Sequence, residues 1–353
     1  MVQLDKHQDY YYQSLYGSTA YTSELLLDED QPHIFHSSFK VENFRFTDRL
    51  DLYSIAEHQG KILFVDVGKK ELCGTVALDG VVEHAQSTWE NAEVFITHLH
   101  DDHDGNLSYV IDKGVKTVWL GPVPEYDPGL GITFMMRTGD LKYETNLEEV
   151  KQAIDRHMKK RQDRYVYGPA IKHIRPGRVL SVGGYLFEAI STPGHAYEHM
   201  SLLERDKGIL FAGDHILDAA PGIMQYDENS NMLLKFLNSL RFIRSLNLNT
   251  VYLSHHEPLR GQNEVYNFIA KQLRSYVKPV ETISQLLHET GETDVYSMAV
   301  KFYEHNHQRL FRDLNGLMRQ RKISIMYGYL DYLVAAKNLH RSIAPDGRFL
   351  YSW

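Results

Sequence analysis

The chain has 353 residues, with 38 Lys and Arg, 46 Asp and Glu, a formal net charge of −8 and a single cysteine. This length suggests two domains, or one large domain with additions, and a 43% hydrophobic composition excludes a disordered or collagen-like chain. One cysteine excludes an intrachain disulfide and an iron–sulfur cluster held by one chain. The acidic balance argues against a surface that binds nucleic acid throughout.

The first thirty or so residues are polar and include the run Tyr10–Tyr12. We predict an N-terminal arm or a dimer-contact segment over residues 1–43, and the sequence leaves both interpretations open. The N-terminus lacks a basic segment followed by an apolar one, and no run reaches the roughly 18 apolar residues of a membrane span. Together with the single cysteine, this pattern predicts a reducing, cytoplasmic compartment and no membrane partner.

Residues 44–260 alternate between strand patterns and helical patterns without a strict βαβ rhythm. This alternation predicts two sheets with helices outside them, and a long insertion at about 121–178. The predicted helices span 146–164 and 231–245. The predicted strands span 52–57, 61–67, 93–97, 115–120, 179–181, 185–191, 200–204, 208–212 and 250–253.

Residues 261–353 have an almost entirely helical pattern and form the predicted C-terminal module. The expected helices span 263–287, 295–305, 309–320 and 325–337, followed by two short strands around Pro345-Asp346-Gly347. Helices followed by a small hairpin resemble a winged-helix module. Residues 262–353 carry 12 basic and 9 acidic residues, a weak excess for a surface that neutralises phosphates.

Side chains that bind metals concentrate directly after the predicted strand 93–97. The segment THLHDDHDG contains His98, His100, Asp102 and His103. Histidine is the commonest metal ligand in proteins, and imidazole with carboxylate suits zinc, iron or manganese. A lone His-x-His would favour a solvated turn, whereas the full HxHxDH pattern after an apolar strand predicts two metal ions a few ångströms apart.

Three later strand ends repeat this arrangement. Their candidate ligands are His195 in STPGH, Asp214 in LFAGDH, and His255 or His256 in SHHEP. One strand that ends in a ligand-type residue is weak support, but four such ends in one chain favour a common site.

These motifs resemble the metallo-β-lactamase superfamily over roughly residues 44–260. The resemblance implies an α+β fold, in which an αββα sandwich carries a shallow dinuclear site and the small helical C-terminal module is an addition. Asp66 in FVDVG resembles the family motif that supports the metal-binding loop. The resemblance implies that one metal is bound by His98, His100 and His195 and that the other is bound by Asp102, His103 and His256. It also implies that Asp214 bridges both metals.

Two positions depart from the family pattern. The last motif usually has one histidine, and alignment on the following acidic residue and proline favours His256 over His255. His215 follows Asp214 and either supports the site from outside or points away. The histidine at position 100 separates the chain from the flavodiiron relatives, which have glutamate there, and favours hydrolysis over redox chemistry.

The resemblance implies a hydrolase with two divalent metals, zinc as the first choice, and Asp102 and Asp214 as catalytic residues. A metal-bound hydroxide is expected to attack a small thioester, ester or lactone, as in hydroxyacylglutathione hydrolases and acyl-homoserine lactonases. The alternatives are a phosphodiesterase or ribonuclease of the same fold, and a metal-binding DNA regulator. The acidic charge argues against a nucleic-acid partner. The sequence assigns no substrate-binding residues, and it leaves open whether the chain forms a homodimer.

Overall fold

The computed structural model describes the chain except residues 1, 4–9, 15–16, 22–25, 41–48, 71–73, 124–128, 144–146, 149–150, 153–167, 169 and 308. The chain divides into two compact units. The first unit contains Met1–Val123, Tyr167–Asp218 and Phe242–Ile269, and the second contains Pro124–Val166, Ala219–Arg241 and Ala270–Trp353. Much of the predicted insertion at 121–178 therefore groups with the C-terminal residues.

The first unit contains an eight-stranded sheet. Its strands, in hydrogen-bonded order, are β1 (Val2–Gln3), β4 (Leu26–Gln31), β5 (Ile34–Lys40), β6 (Arg49–Ala56), β7 (Ile62–Val65), β8 (Ala92–Ile96), β9 (Thr117–Leu120) and β10 (Ile171–His173). The strands β2 (Tyr10–Ser14) and β3 (Gly17–Tyr21) form a separate two-stranded sheet. The predicted arm over residues 1–43 thus contributes β4 and β5 to the large sheet, because β5 pairs along its length with β6.

The second sheet of this unit has six strands. In order they are β11 (Val179–Val182), β12 (Tyr185–Ser191), β13 (Met200–Glu204), β14 (Ile209–Phe211), β15 (Thr250–Leu253) and β16 (His256–Arg260). Strands β12, β13 and β15 have the bounds that the sequence predicted. The mixed α/β architecture with two sheets and accompanying helices is confirmed.

The two sheets share one hydrophobic core. Leu63 and Phe95 from the first sheet lie in the same buried cluster as Phe187, Leu202 and Phe211 from the second. The other face of the first sheet packs against the helices Gly74–His84 and Leu107–Lys113. Strand β7, which pairs antiparallel with β6 and parallel with β8, is buried at all four positions, as expected for a central strand covered on both faces.

The second unit is mainly helical. Its strands β17 (Thr293–Asp294), β18 (His340–Ile343) and β19 (Phe349–Ser352) form a three-stranded sheet, and β18 and β19 confirm the predicted C-terminal hairpin. Its helices, and the two that span the boundary between units, are Leu130–Thr138, Asp140–Tyr143, Met232–Arg244, Gln262–Ser275, Val277–Thr290, Val295–Asn306 and Gly316–Lys337. Among the described residues, none of the helices is long and apolar enough to cross a membrane.

Three predicted helices are divided or merged in the structure. The pattern over 263–287 divides at Tyr276, which places Pro279 in the first turn of a new helix, where its missing N–H costs nothing. The predicted helices 309–320 and 325–337 are replaced by one helix that begins after Asn315, whose side chain accepts a hydrogen bond from Met318 N. Most of the predicted helix 146–164 lies outside the described residues.

A buried polar cluster joins three elements of the second unit. Asp331 accepts hydrogen bonds from Gln225 Nε2 at 2.5 Å, Arg341 at 2.9 Å and Tyr351 Oη at 3.1 Å. Burial raises the pKa of Asp331, although these donors act in the opposite direction. Because each donor lies on a different element, this carboxylate connects the residue 219–231 segment, the long helix and the C-terminal sheet.

Candidate metal centre

The loop after β8 presents its histidines through an extended backbone followed by a short helix. Leu99 N donates to Glu198 Oε1 at 3.0 Å, which holds the extended segment in place. The helix Asp101–Asp104 then begins directly after His100, whose carbonyl accepts from the amides of His103 and Asp104. This local geometry explains the HxHxDH spacing: the extended segment presents His98 and His100, and the helix presents Asp102 and His103.

The first donor group consists of His98, His100, His195 and Asp214. His100 Nδ1 lies 2.7 Å from His98 Nε2 and 3.1 Å from His195 Nε2. Asp214 Oδ2 lies 3.6 Å from His195 Nε2 and 4.0 Å from His98 Nε2. The ends of β8, β12 and β14 therefore bring three nitrogen atoms and one oxygen atom together.

The second donor group consists of Asp102, His103, Asp214 and His255. Asp214 Oδ1 lies 3.3 Å from His103 Nε2 and 3.3 Å from His255 Nε2. Asp102 Oδ2 lies 3.3 Å from His255 Nε2, and Asp102 Oδ1 lies 3.9 Å from His103 Nε2. Asp214 therefore presents one carboxylate oxygen to each group.

The donor set fits a pair of divalent metal ions. Two ligand atoms on one tetrahedral zinc ion, with bonds of about 2.0–2.1 Å, lie about 3.3 Å apart, and several of the observed separations have this value. His103 Nε2 and Asp214 Oδ1 are buried, yet neither makes a hydrogen bond to the part of the chain that the structure describes. A cation between these atoms would satisfy both.

The outer nitrogens of three histidines are held by the protein. His103 Nδ1 donates to Asp66 Oδ2 at 2.7 Å. His98 Nδ1 lies 3.1 Å from Thr97 Oγ1, which itself donates to Asp66, and His255 Nδ1 donates to the carbonyl of Arg49 at 2.8 Å. With the proton on Nδ1, each ring directs an unprotonated Nε2 into its donor group, which is the form that binds a metal.

Asp66 lies where the sequence placed a supporting residue. Its backbone has a φ of 62°, in the left-handed region that aspartate tolerates better than most residues. Its carboxylate accepts from Thr97 N at 2.8 Å as well as from His103. One buried side chain therefore connects the end of β7 to the start and the end of the ligand loop.

Electrostatics differ between the two groups. Burial and the neighbouring imidazoles hold the pKa of His98 well below its usual range, and burial also lowers the pKa of His195. In the second group burial acts in the same direction but is outweighed, because Asp214 and Asp102 raise the pKa of His255 to about 10. Asp214, Asp66 and Asp102 likewise raise the pKa of His103 against the effect of burial.

The structure corrects the choice between the two adjacent histidines. His255 belongs to the second donor group, whereas His256 lies outside it, with Nδ1 2.7 Å from the carbonyl of Glu257 and its ring against Phe268. The prediction of His256 is therefore wrong by one residue. Strand β6 determines this register, because Asp51 N donates to Ser254 O and thereby fixes the turn before β16.

Two fully buried histidines lie beside the groups without belonging to either. His215, which the sequence left as a supporting residue or a bystander, has its ring 5.5 Å from that of His199. Sequence reasoning missed His199, whose ring lies 5.1 Å from that of His98 and whose Nδ1 lies 2.9 Å from Thr192 Oγ1. The spacing His195-x-x-x-His199 was the available signal.

The single cysteine of the chain, Cys73, lies outside the described residues.

The comparisons with known proteins agree with this geometry. A family model described as the metallo-beta-lactamase superfamily matches residues 93–255, which include all seven residues of the two donor groups. The chain is 27% identical over 124 residues to an atrochrysone carboxyl ACP thioesterase of Aspergillus fumigatus, a match that covers 35% of this chain and 28% of that protein.

Two further proteins extend the similarity. A metallo-beta-lactamase fold-containing protein of Sulfurisphaera tokodaii is 30% identical over 159 residues, which cover 40% of this chain and 54% of that protein. The chain thus spans less than two thirds of these relatives' length. A crystal structure of a metallo-beta-lactamase family protein of Thermus thermophilus has a TM-score of 0.62 at 19% identity, and the match covers 90% of this chain and 98% of that one. The chain therefore contains a metallo-beta-lactamase superfamily domain.

Proposed function

We propose that the protein is a hydrolase that uses two divalent metal ions to cleave a small thioester, ester or lactone. One ion would be held by His98, His100 and His195, and the other by Asp102, His103 and His255. Asp214 would bind both ions. The observation that carries this proposal is the division of the Asp214 carboxylate, with Oδ2 facing the first donor group and Oδ1 facing the second.

The metals and the protein contribute different parts of the chemistry. Two bound divalent ions would supply Lewis acidity and would lower the pKa of a coordinated water molecule toward neutrality. The protein keeps Asp214 ionised, because His255 and His103 hold its pKa well below the usual range although burial opposes them. Asp102 is also kept ionised, by His103 and His255 against burial, so two carboxylates remain available to bind cations at neutral pH.

The reaction class follows from what the chain offers as a nucleophile. No serine lies in a Gly-x-Ser-x-Gly turn. Thr97, the hydroxyl residue next to the first histidine, donates a hydrogen bond to the buried Asp66 carboxylate at 2.8 Å. We therefore assign attack to water rather than to a side chain, with no covalent acyl intermediate.

The substrate class is proposed from one relative and from the chemistry that three carbonyl substrates share. One relative is named as an atrochrysone carboxyl ACP thioesterase, and the match covers 35% of this chain. Thioester, ester and lactone cleavage share attack on a carbonyl carbon, so the same donor groups would serve each. Zinc is our first choice, since nitrogen-rich sites with carboxylates suit it, and iron or manganese would bind the same set.

A substrate panel tests this proposal. The zinc-loaded protein is assayed with an acyl-pantetheine thioester, a 4-nitrophenyl ester, an acyl-homoserine lactone and bis(4-nitrophenyl) phosphate. We expect turnover of at least one carbonyl substrate, with loss of that turnover in Asp214→Asn and retention in His256→Ala, which changes a histidine outside both groups. Turnover confined to the phosphodiester would reject the proposed substrate class in favour of the phosphodiesterase alternative.

A further inference from the structure

The turn that carries His255 is held by a strand of the other sheet. Two contacts from β6 reach this turn: Asp51 N donates to Ser254 O at 2.8 Å, and the carbonyl of Arg49 accepts from His255 Nδ1 at 2.8 Å. Both contacts use the backbone of β6, and they engage consecutive residues of the turn. The position of the Arg49 backbone therefore determines where the His255 ring points.

The side chain of Arg49 is in turn held by a buried carboxylate. Its Nε lies 2.6 Å from Asp51 Oδ2 and its second terminal nitrogen lies 2.7 Å from Oδ1, which is a two-point contact. The Asp51 side chain is fully buried and also accepts from His36 Nε2 at 2.6 Å. A further ion pair joins Arg49 to Glu257, two residues beyond His255.

We propose that Arg49 and Asp51 form a positioning pair for His255, and that this pair sets the metal affinity of the second donor group. The inference rests on the two-metal part of the proposed function. Neither side chain belongs to a donor group, so the pair acts only through the Arg49 carbonyl and the Asp51 amide. Partners of this kind, which orient a ligand from outside, are worth about 10–100-fold in metal affinity or activity.

The two ion pairs of Arg49 are expected to contribute unequally. Glu257 has a side chain that is 67% exposed, so water and salt screen its pair with Arg49. In the other pair the Asp51 side chain is fully buried and that of Arg49 is 22% exposed, so loss of Arg49 would leave a buried carboxylate without this compensating charge. The positioning effect therefore belongs mainly to Arg49 and Asp51, and Glu257→Gln should change zinc affinity less than twofold.

The test measures zinc binding to the metal-free full-length protein in competition with a chromophoric chelator. The wild-type chain should show two zinc affinities, and His255→Ala identifies which of them belongs to the second group. Arg49→Met should weaken that same affinity about 10–100-fold and leave the other unchanged. Arg49→Lys, which keeps the charge but not the two-point contact, should recover part of the loss.

Two controls separate positioning from general damage. Arg260→Met breaks another Arg–Asp pair of the same unit, the more exposed one between Arg260 of strand β16 and Asp30, and should leave both affinities unchanged. In the double variant with His255→Ala, Arg49→Met should cause no further loss, because both changes act on one ligand. Asp51→Asn replaces Arg49→Met in the same measurements if the latter fails to fold.

The outcomes distinguish this inference from the function on which it rests. Equal losses in Arg49→Met and Arg260→Met, or additive losses with His255→Ala, would overturn the positioning role. Unchanged zinc affinities in a folded Arg49→Met protein would also overturn the positioning role, but they would leave the two-metal proposal in place. A wild-type protein that binds no zinc would instead overturn the proposed function itself.

Discussion

The two donor groups share Asp214 but differ in charge and in how they are assembled. The first group has three histidines, and burial lowers the pKa of both His98 and His195. The second group contains the additional carboxylate Asp102, and its two histidines have raised pKa values. From this difference we expect metal binding to displace more protons from the second group than from the first.

The largest expected effect comes from the residue that the groups share. Asp214→Ala should remove metal from both, because it deletes one donor oxygen from each, and activity should fall by more than about a hundredfold, beyond what outer partners contribute. Elemental analysis and turnover of the same preparation measure this. Two zinc ions per chain with near-wild-type turnover would show that Asp214 does not bridge.

A second prediction concerns pH. Because the pKa values of His103 and His255 are raised in the metal-free protein, both are protonated at neutral pH, and zinc must displace about two protons from the second group. Its affinity should rise with pH through neutrality, whereas the first group should respond less, since His98 and His195 are already neutral. Calorimetry in buffers with different ionisation enthalpies counts the protons, and equal proton release from both groups would contradict the comparison.

The third prediction uses the adjacent histidines as a matched pair. His255→Ala should weaken the second zinc site at least about tenfold and leave the first intact, because it removes one ligand of that group alone. His256→Ala should behave as the wild type, since its ring packs against Phe268 outside both groups. Competition titration of the two variants side by side measures both zinc affinities. If His256→Ala weakened the second site and His255→Ala did not, the ligand would be His256, as the sequence favoured.

The smallest of these effects is expected for a residue that touches no metal. Asp66→Asn should weaken the second site about tenfold, because the amide no longer accepts a charge-assisted hydrogen bond from His103 Nδ1. The first site should change less, since Asp66 reaches His98 only through Thr97. Zinc affinities of both sites, measured as above, test this, and an equal loss at both would show that Asp66 supports the whole loop.

Much of the fold was predictable because the relevant signals are local. Strands β12, β13 and β15 have the predicted bounds, and the hairpin around Pro345-Asp346-Gly347 is confirmed. One of the failures has a non-local cause and another has a local one. The sequence predicted an arm or a dimer-contact segment over residues 1–43, yet Ile34 and Phe39 of β5 are buried because β5 pairs with β6. The helix over 316–337 continues past the predicted break because nothing in its own sequence interrupts it.

The sequence by itself determined which ligand-type residues follow which strands, since strand ends and turns depend on neighbouring residues. It therefore singled out six candidate ligands, and the structure brings all six together in the two donor groups: His98, His100, Asp102, His103, His195 and Asp214. Only the tertiary structure decided between His255 and His256. His255 lies in the turn before β16 and His256 is the first residue of that strand, and the contact that orients His255 comes from Arg49 and Asp51, about 200 residues earlier in the chain.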